Sequence, residues 1–266
     1  MVTINVKTKE RLTQGIKKFQ PVLARAKASD VNESDTVTII ADMLSDVFGF
    51  DKYSEVTSEF AIKKTFCDLA IKVEDKLCLL IECKAIGLAL KDSFVQQAID
   101  YAANSGVDWV VLTNGLFWRV YKVMFTKPIE KDLIYEFDFS ALNGKKQADL
   151  ETLYYLCREA FVKTGKSSLE DLRDQKQVVN KFFLAQMIMS DTIADTVRKQ
   201  LKKLSPEIKI TSEEISEIIK EEILKREVTE GDKPVEAKKQ LAKLEKKITG
   251  GTKSVKAPAA APADSE

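Results

Sequence analysis

Along the first fifty residues the apolar positions repeat with the period of a helix. Leu12, Ile16, Phe19 and Leu23 form one stripe within residues 8–28, a basic amphipathic helix with Pro21 as its expected break. Val37, Ile40, Ala41, Leu44, Val47 and Phe48 form a second stripe and predict a helix over 33–48. Asn32 or Ser34 can cap its start, and Gly49 can end it. From Tyr53 the period falls to two, and strands are expected at about 53–61, 66–73 and 77–84. A helix follows over about 91–105. Then come an apolar run at 109–113, an Asn114-Gly115 turn and a second run at 117–123, the pattern of a tight hairpin. From Asp149 onward the period is helical again. Leu150, Leu153, Tyr154 and Cys157 open one helix, about 169–204 gives one or two more, and 212–226 another. Residues 234–248 predict a lysine-rich helix with little to bury. The last stretch, GGTKSVKAPAAAPADSE, has the composition of a disordered tail.

The pattern therefore predicts an α/β core followed by a helical region and a tail. The expected divisions are a basic N-terminal helix at 1–30, the core at 31–148, a helical C-terminal region at 149–230, and a charged helix with disordered tail at 231–266. No run approaches the length of a membrane span, and the first residues lack the apolar stretch of a signal peptide. The four cysteines, Cys67, Cys78, Cys83 and Cys157, show no paired metal-ligand spacing. They read as reduced, mostly buried and cytoplasmic.

Composition narrows the chemistry. The chain has 266 residues, 42 basic and 41 acidic side chains, and no histidine. That excludes Ser-His-Asp and Cys-His hydrolases, HExxH zinc proteases and nucleases with a histidine base. Proton or phosphoryl chemistry would fall to carboxylates, lysine, tyrosine or a bound metal. The near-zero charge hides an acidic middle between basic flanks at 1–30 and 199–256. Those flanks are the candidates for phosphate contacts.

The segment FCDLAIKVEDKLCLLIECKA, residues 66–85, holds the candidate chemistry. A three-residue loop at Glu74-Asp75-Lys76 places Asp68 opposite Glu82 on neighbouring antiparallel strands, with Cβ atoms roughly 5 Å apart on one face. Lys84, two residues beyond Glu82, points the same way. The other face would hold Cys67, Leu69, Ile71 and Val73 against Leu77, Leu79, Ile81 and Cys83. Opposed carboxylates destabilise a sheet unless a cation lies between them. Magnesium takes carboxylate oxygens and retained waters, and a neighbouring lysine can stabilise developing negative charge. Solvated charges on a polar hairpin face are the plain alternative. The largely apolar second strand argues for burial instead.

Asp68 followed by Glu82-Cys83-Lys84 resembles the PD-(D/E)XK nuclease motif. More specifically, the chain resembles the N-terminal nuclease domain of type I restriction enzyme R subunits. Glu33 in VNESDT, the Gln97-to-Tyr101 pair of a Q-x-x-x-Y motif and the closing hairpin at 107–123 extend the likeness over residues 10–125. Cys67 stands where that motif often has proline. The resemblance implies a restriction-endonuclease-like mixed β-sheet core flanked by helices. It implies magnesium, with manganese as a substitute, held by Asp68, Glu82, the Cys83 carbonyl and Glu33. Lys84 would orient the attacking water and stabilise the pentavalent phosphate, with Gln97 and Tyr101 positioning Lys84 or the DNA backbone. The expected function is a freestanding magnesium-dependent endonuclease on double-stranded DNA, without the helicase motor of a full R subunit. The alternative is a non-catalytic nucleic-acid-binding or assembly subunit that keeps the fold. A protein partner or a second copy would then bind through the C-terminal helices, where Ile215, Ile218, Ile219 and Ile223 form an apolar stripe. Lys163-Thr-Gly-Lys-Ser167 looks like the end of a phosphate-binding loop. Ala160 stands where its first glycine belongs, so no ATP site is expected.

Overall fold

The structure is a computed structural model, and it describes residues 2–62, 65–162 and 168–251, with the side chains of 59–66 and 247–251 left aside. Residues 163–167, whose sequence looks like the end of a phosphate-binding motif, and those from 252 onward lie outside the described residues. The chain divides between Arg173 and Asp174 into two compact units.

The first unit opens with α1 (Val6–Ala28) and α2 (Glu33–Asp46). Asn5 and Asn32 cap them, each side chain accepting a backbone N–H of the first turn. Pro21 does not break α1, which runs through it as one helix. The missing N–H costs a helix about 3 kcal/mol. Burial of Leu12, Ile16, Phe19 and Leu23 on both sides of it offsets that loss. α2 ends as expected, with Gly49 at φ +82°, where a side chain is disfavoured.

Six strands follow: β1 (Val56–Ile62), β2 (Thr65–Val73), β3 (Lys76–Cys83), β4 (Trp109–Thr113), β5 (Phe117–Met124) and β6 (Glu130–Asp138). They form one sheet in sequential order. All neighbours are antiparallel except β3 and β4, which are parallel. The parallel step needs a crossover, supplied by a short 3₁₀ turn, Asp92–Val95, leading into α3 (Gln96–Ser105). This is the α/β core that the sequence pattern predicts, with the mixed sheet flanked by helices that the resemblance implies. Strand β6 is an addition to the expected set. Its alternation is broken by the run of charges at Glu130, Lys131 and Asp132, which hid its period.

The β2–β3 hairpin corrects the expected loop. Val73 pairs with Lys76, so the turn is the two residues Glu74-Asp75, both at positive φ. That conformation matches the twist of the strands. A bulge at Ile71/Lys72 then inserts one residue and restores the expected register from Ile71↔Leu79 to Leu69↔Ile81. The bulge also moves Leu77 to the opposite face from Leu79 and Ile81. Cys67 departs from the expected face as well, lying in the layer opposite Leu69. The β4–β5 turn is also shifted. Asn114 N–H bonds the Phe117 carbonyl, which makes Gly115-Leu116 the central pair.

Two apolar layers cover the sheet. Leu69, Ile71, Leu79, Ile81 and Cys83 face α1 and α2, while Ala70, Leu80, Val110 and Leu112 face α3. Trp109 and Trp118 are core residues. α4 (Gln147–Tyr154) and α5 (Arg158–Val162) close the first layer. The single helix expected there is split after Tyr154. α6 (Ser168–Val178) follows.

From Asp174 on, the chain is helical: α7 (Lys181–Ile188), α8 (Asp191–Leu204), α9 (Ser212–Ile218), α10 (Arg226–Thr229) and α11 (Asp232–Gly251). α9 continues through a wide π-helical turn, Ile219–Ile223. Among the described residues no helix is long and apolar enough to cross a membrane.

Candidate active site

The site lies at the end of β3, where three elements meet. Glu82 alternates with Ile81 and Cys83, so it turns away from α2 and toward the α3 layer. It is only 7% exposed. Beyond Leu69↔Ile81 the Asp68 carboxylate takes over from the ladder: its Oδ2 accepts the Cys83 N–H at 2.7 Å. Cys83 itself is buried against α2 and pairs with Thr113 of β4. Lys84 N–H donates to the Thr113 carbonyl at 2.9 Å, which fixes where its side chain leaves the sheet.

Lys84 Nζ lies 2.8 Å from Glu82 Oε1 and 3.5 Å from Glu33 Oε1. Glu33 is the first residue of α2 and is half-exposed, so the second helix delivers a carboxylate to the same ammonium. Burial works to lower the Lys84 pKa, but the Glu82 hydrogen bond and the charges of Glu82, Glu33 and Asp68 outweigh it. The net shift is upward, and the ammonium keeps its proton. Glu82 shifts upward too. Burial is the largest cause, and the charges of Asp68 and Glu33 add to it, with Lys84 offsetting only part. In a simple ion pair the carboxylate would shift down. Here burial outweighs the ammonium, and the geometry adds three carboxylates around one lysine, a site short of positive charge.

That shortage bears on a metal. The donors are all hard oxygens, and magnesium needs only one or two protein carboxylates because it keeps its waters. Asp68 and Glu82 fit that requirement. Among the described residues no three His, Cys, Asp or Glu side chains form a ready-made metal group. A cation here would rest on two carboxylates, a carbonyl and water, with Lys84 displaced from full pairing to Glu82.

Gln97 and Tyr101, one turn apart on α3, meet each other. Gln97 Nε2 donates to the Tyr101 hydroxyl at 2.7 Å. Tyr101 is buried in the α3 layer beside Leu80, and Gln97 is exposed. No described hydrogen bond joins either residue to Lys84. The start of their helix is held from the sheet: Arg119 reaches the Leu90 carbonyl, Tyr121 donates to Asp92, and Lys131 donates to the Asp92 carbonyl. Burial and the neighbouring Asp92 push the Tyr121 hydroxyl up to about 12.

Two supporting residues went unrecognised in the sequence. Asn114, buried in the β4–β5 turn, donates to the carbonyls of Ile86 and Leu88, just past Lys84. Thr36 of α2, also buried, accepts the Ile86 N–H at 3.2 Å. Together they pin the chain that leaves β3. Thr36 was detectable in principle, since it sits on the buried stripe with Ile40 and Leu44, where a polar residue is out of place. Asn114 read only as a turn residue.

Residues 23–133 match the family model of the type I restriction enzyme R protein N terminus (HSDR_N). The match takes in Glu33, Asp68, Glu82, Lys84, Gln97 and Tyr101 and reaches into β6. No curated protein and no solved structure matches the chain significantly.

Proposed function

Taking residues 23–133 as a domain of the type I restriction enzyme R protein N-terminal type, we propose that the protein is a magnesium-dependent DNA endonuclease. The observation that carries this reading is the partly buried Lys84 ammonium held between Glu82 and Glu33, with Asp68 anchored on Cys83, the residue after Glu82. In the same reading manganese can replace magnesium. An assembly role is the second reading, and the apolar surface of the helical unit favours it.

In this account Asp68 and Glu82 would hold the metal, with the Cys83 carbonyl and Glu33 as further oxygen donors. The metal would polarise the scissile phosphate and supply a nucleophile at neutral pH. Lys84 does not act as a base. It keeps its proton on Nζ and donates hydrogen bonds to the phosphate oxygens as negative charge develops there. Glu33 holds that ammonium from the exposed side and Glu82 from the buried side, so it is oriented before substrate arrives. Asn114 and Thr36 keep the backbone after Lys84 from drifting, and the Gln97–Tyr101 pair presents an amide beside the path of the DNA backbone.

Manganese titration by calorimetry tests the metal assignment. Wild type should bind the ion, and Asp68→Asn and Glu82→Gln should each weaken binding at least about tenfold. Equal affinity in all three proteins would remove the metal site from Asp68 and Glu82.

A further inference from the structure

The helical unit that begins at Asp174 has no part in the site above, and it has a groove of its own, of about 640 Å³. Ile208, Ile210 and Ile218 give it an apolar floor. Glu214, Glu217, Glu221 and Glu222 line it as well, against Lys209 as the one lining cation among the described residues. The helical repeat explains the arrangement. Positions 214, 217, 218, 221 and 222 share one face of α9 and its wide continuation. Ile215 and Ile219 turn the other way and are buried with Ala194. The unit's core is thus satisfied without Ile218, which is 45% exposed, or Ile223, which is 66% exposed. Wide π turns within helices occur often at functional positions, and this one lies along the groove.

Two of the four carboxylates are also uncommitted. Glu214 is taken up by the capping box with Thr211, and Glu221 pairs with Lys220. Among the described residues Glu217 and Glu222 make no ion pair, although they flank exposed Ile218. An apolar floor edged by carboxylates matches one kind of occupant: a helix with an apolar ridge bordered by lysine or arginine. Nucleic acid is a poor match, because its phosphates would meet the same carboxylates. The chain's own basic helix α1 is unsuitable, since its apolar stripe is spent on the core of the first unit.

We propose that this groove docks a basic amphipathic helix of a partner protein, its ridge on Ile208, Ile210 and Ile218 and its cations facing Glu217 and Glu222. The proposal is independent of the nuclease reading. The test titrates the full chain into a labelled synthetic helical peptide of about 18 residues, long enough to form a helix on binding. The peptide has leucine at i, i+3, i+4 and i+7 with lysine on the flanking positions, and fluorescence anisotropy reads the binding. Saturable binding is expected, weakened at least tenfold by Ile218→Ser and at least tenfold by the charge reversal Glu217→Lys/Glu222→Lys. A second peptide with glutamate in place of lysine should bind the reversed variant at least tenfold more tightly than wild type. All substituted residues are exposed, so folding is not at stake, and circular dichroism checks that it is unchanged. The proposal is overturned if wild type does not bind, if the variants bind as wild type does, or if a composition-matched scrambled peptide binds as tightly. It is also overturned if light scattering shows a homodimer that the same substitutions dissolve, because a second copy would then fill the groove.

Discussion

Replacing Asn114 with alanine should cost the first unit about 3 kcal/mol. The side chain is 2% exposed and makes four hydrogen bonds. Its amide donates to the Ile86 carbonyl at 3.3 Å and the Leu88 carbonyl at 2.9 Å. Its oxygen accepts the N–H groups of Leu116 at 3.2 Å and Phe117 at 2.8 Å. A net bond is worth roughly 1 kcal/mol, with the two longer ones at the low end, which gives about 3 kcal/mol in all. Backbone groups left unpaired in the interior would push the loss higher, and any water that enters would reduce it. Asn114→Asp provides the control. It keeps both acceptor bonds but turns a carboxylate toward two carbonyls, so it should lose at least as much. Urea unfolding followed by tryptophan fluorescence is the assay. The chain's two tryptophans, Trp109 and Trp118, both lie in the first unit, and Trp118 bonds the Gly115 carbonyl of the same turn. A loss below about 1 kcal/mol, or an aspartate variant as stable as wild type, would refute the claim that Asn114 ties the turn to the chain beyond Lys84.

Gly15 faces Val47, and a Cβ there would stand 2.8 Å from Val47 Cγ2 in a packed interface. Gly15→Ala should therefore destabilise by about 1–2 kcal/mol despite alanine's better helix propensity, and a raised thermal midpoint would contradict the α1–α2 contact. Glu159 accepts from Arg11 and Thr8, and although burial opposes them those bonds hold its carboxyl below the usual range. A depressed carboxylate pKa adds stability above the unfolded value of about 4.3 and loses it as pH falls through the folded value. The stability gap between wild type and Glu159→Gln should accordingly be present at pH 7 and shrink below about pH 4; a gap that grows in acid would reverse the sign. Tyr101→Phe keeps the buried ring and removes the bond from Gln97, so it should cost no more than about 1 kcal/mol. It should lower cleavage by more than that loss of fold explains, which paired unfolding and cleavage assays would show.

Most of the core was legible because its signals are local and periodic. The α2 stripe, the strand bounds at β4 and the Leu69↔Ile81 register all follow from spacing. Hidden features arose where one residue changed a count. The bulge at Ile71/Lys72 and the two-residue turn at Glu74-Asp75 cancel each other, so the register came out right although the loop was wrong. The same bulge sent Leu77 to the unexpected face. Pro21 signalled a break that tertiary packing overrode. At the site, Glu82 and Lys84 could be placed together from the pleat alone. Glu33 came to them through the family resemblance, because nothing local ties α2 to the end of β3. Asn114 and Thr36 escaped because their partners are carbonyl and N–H groups some thirty to fifty residues away.

Cleavage of supercoiled DNA in the presence of magnesium, by wild type and by Lys84→Ala side by side, tests the central claim most directly. The account predicts nicked or linear product from wild type, none with the metal chelated, and a loss of at least about a hundredfold in the variant, the scale of a lost charge-stabilising group. Intact DNA from both proteins, or equal cleavage by both, would contradict it.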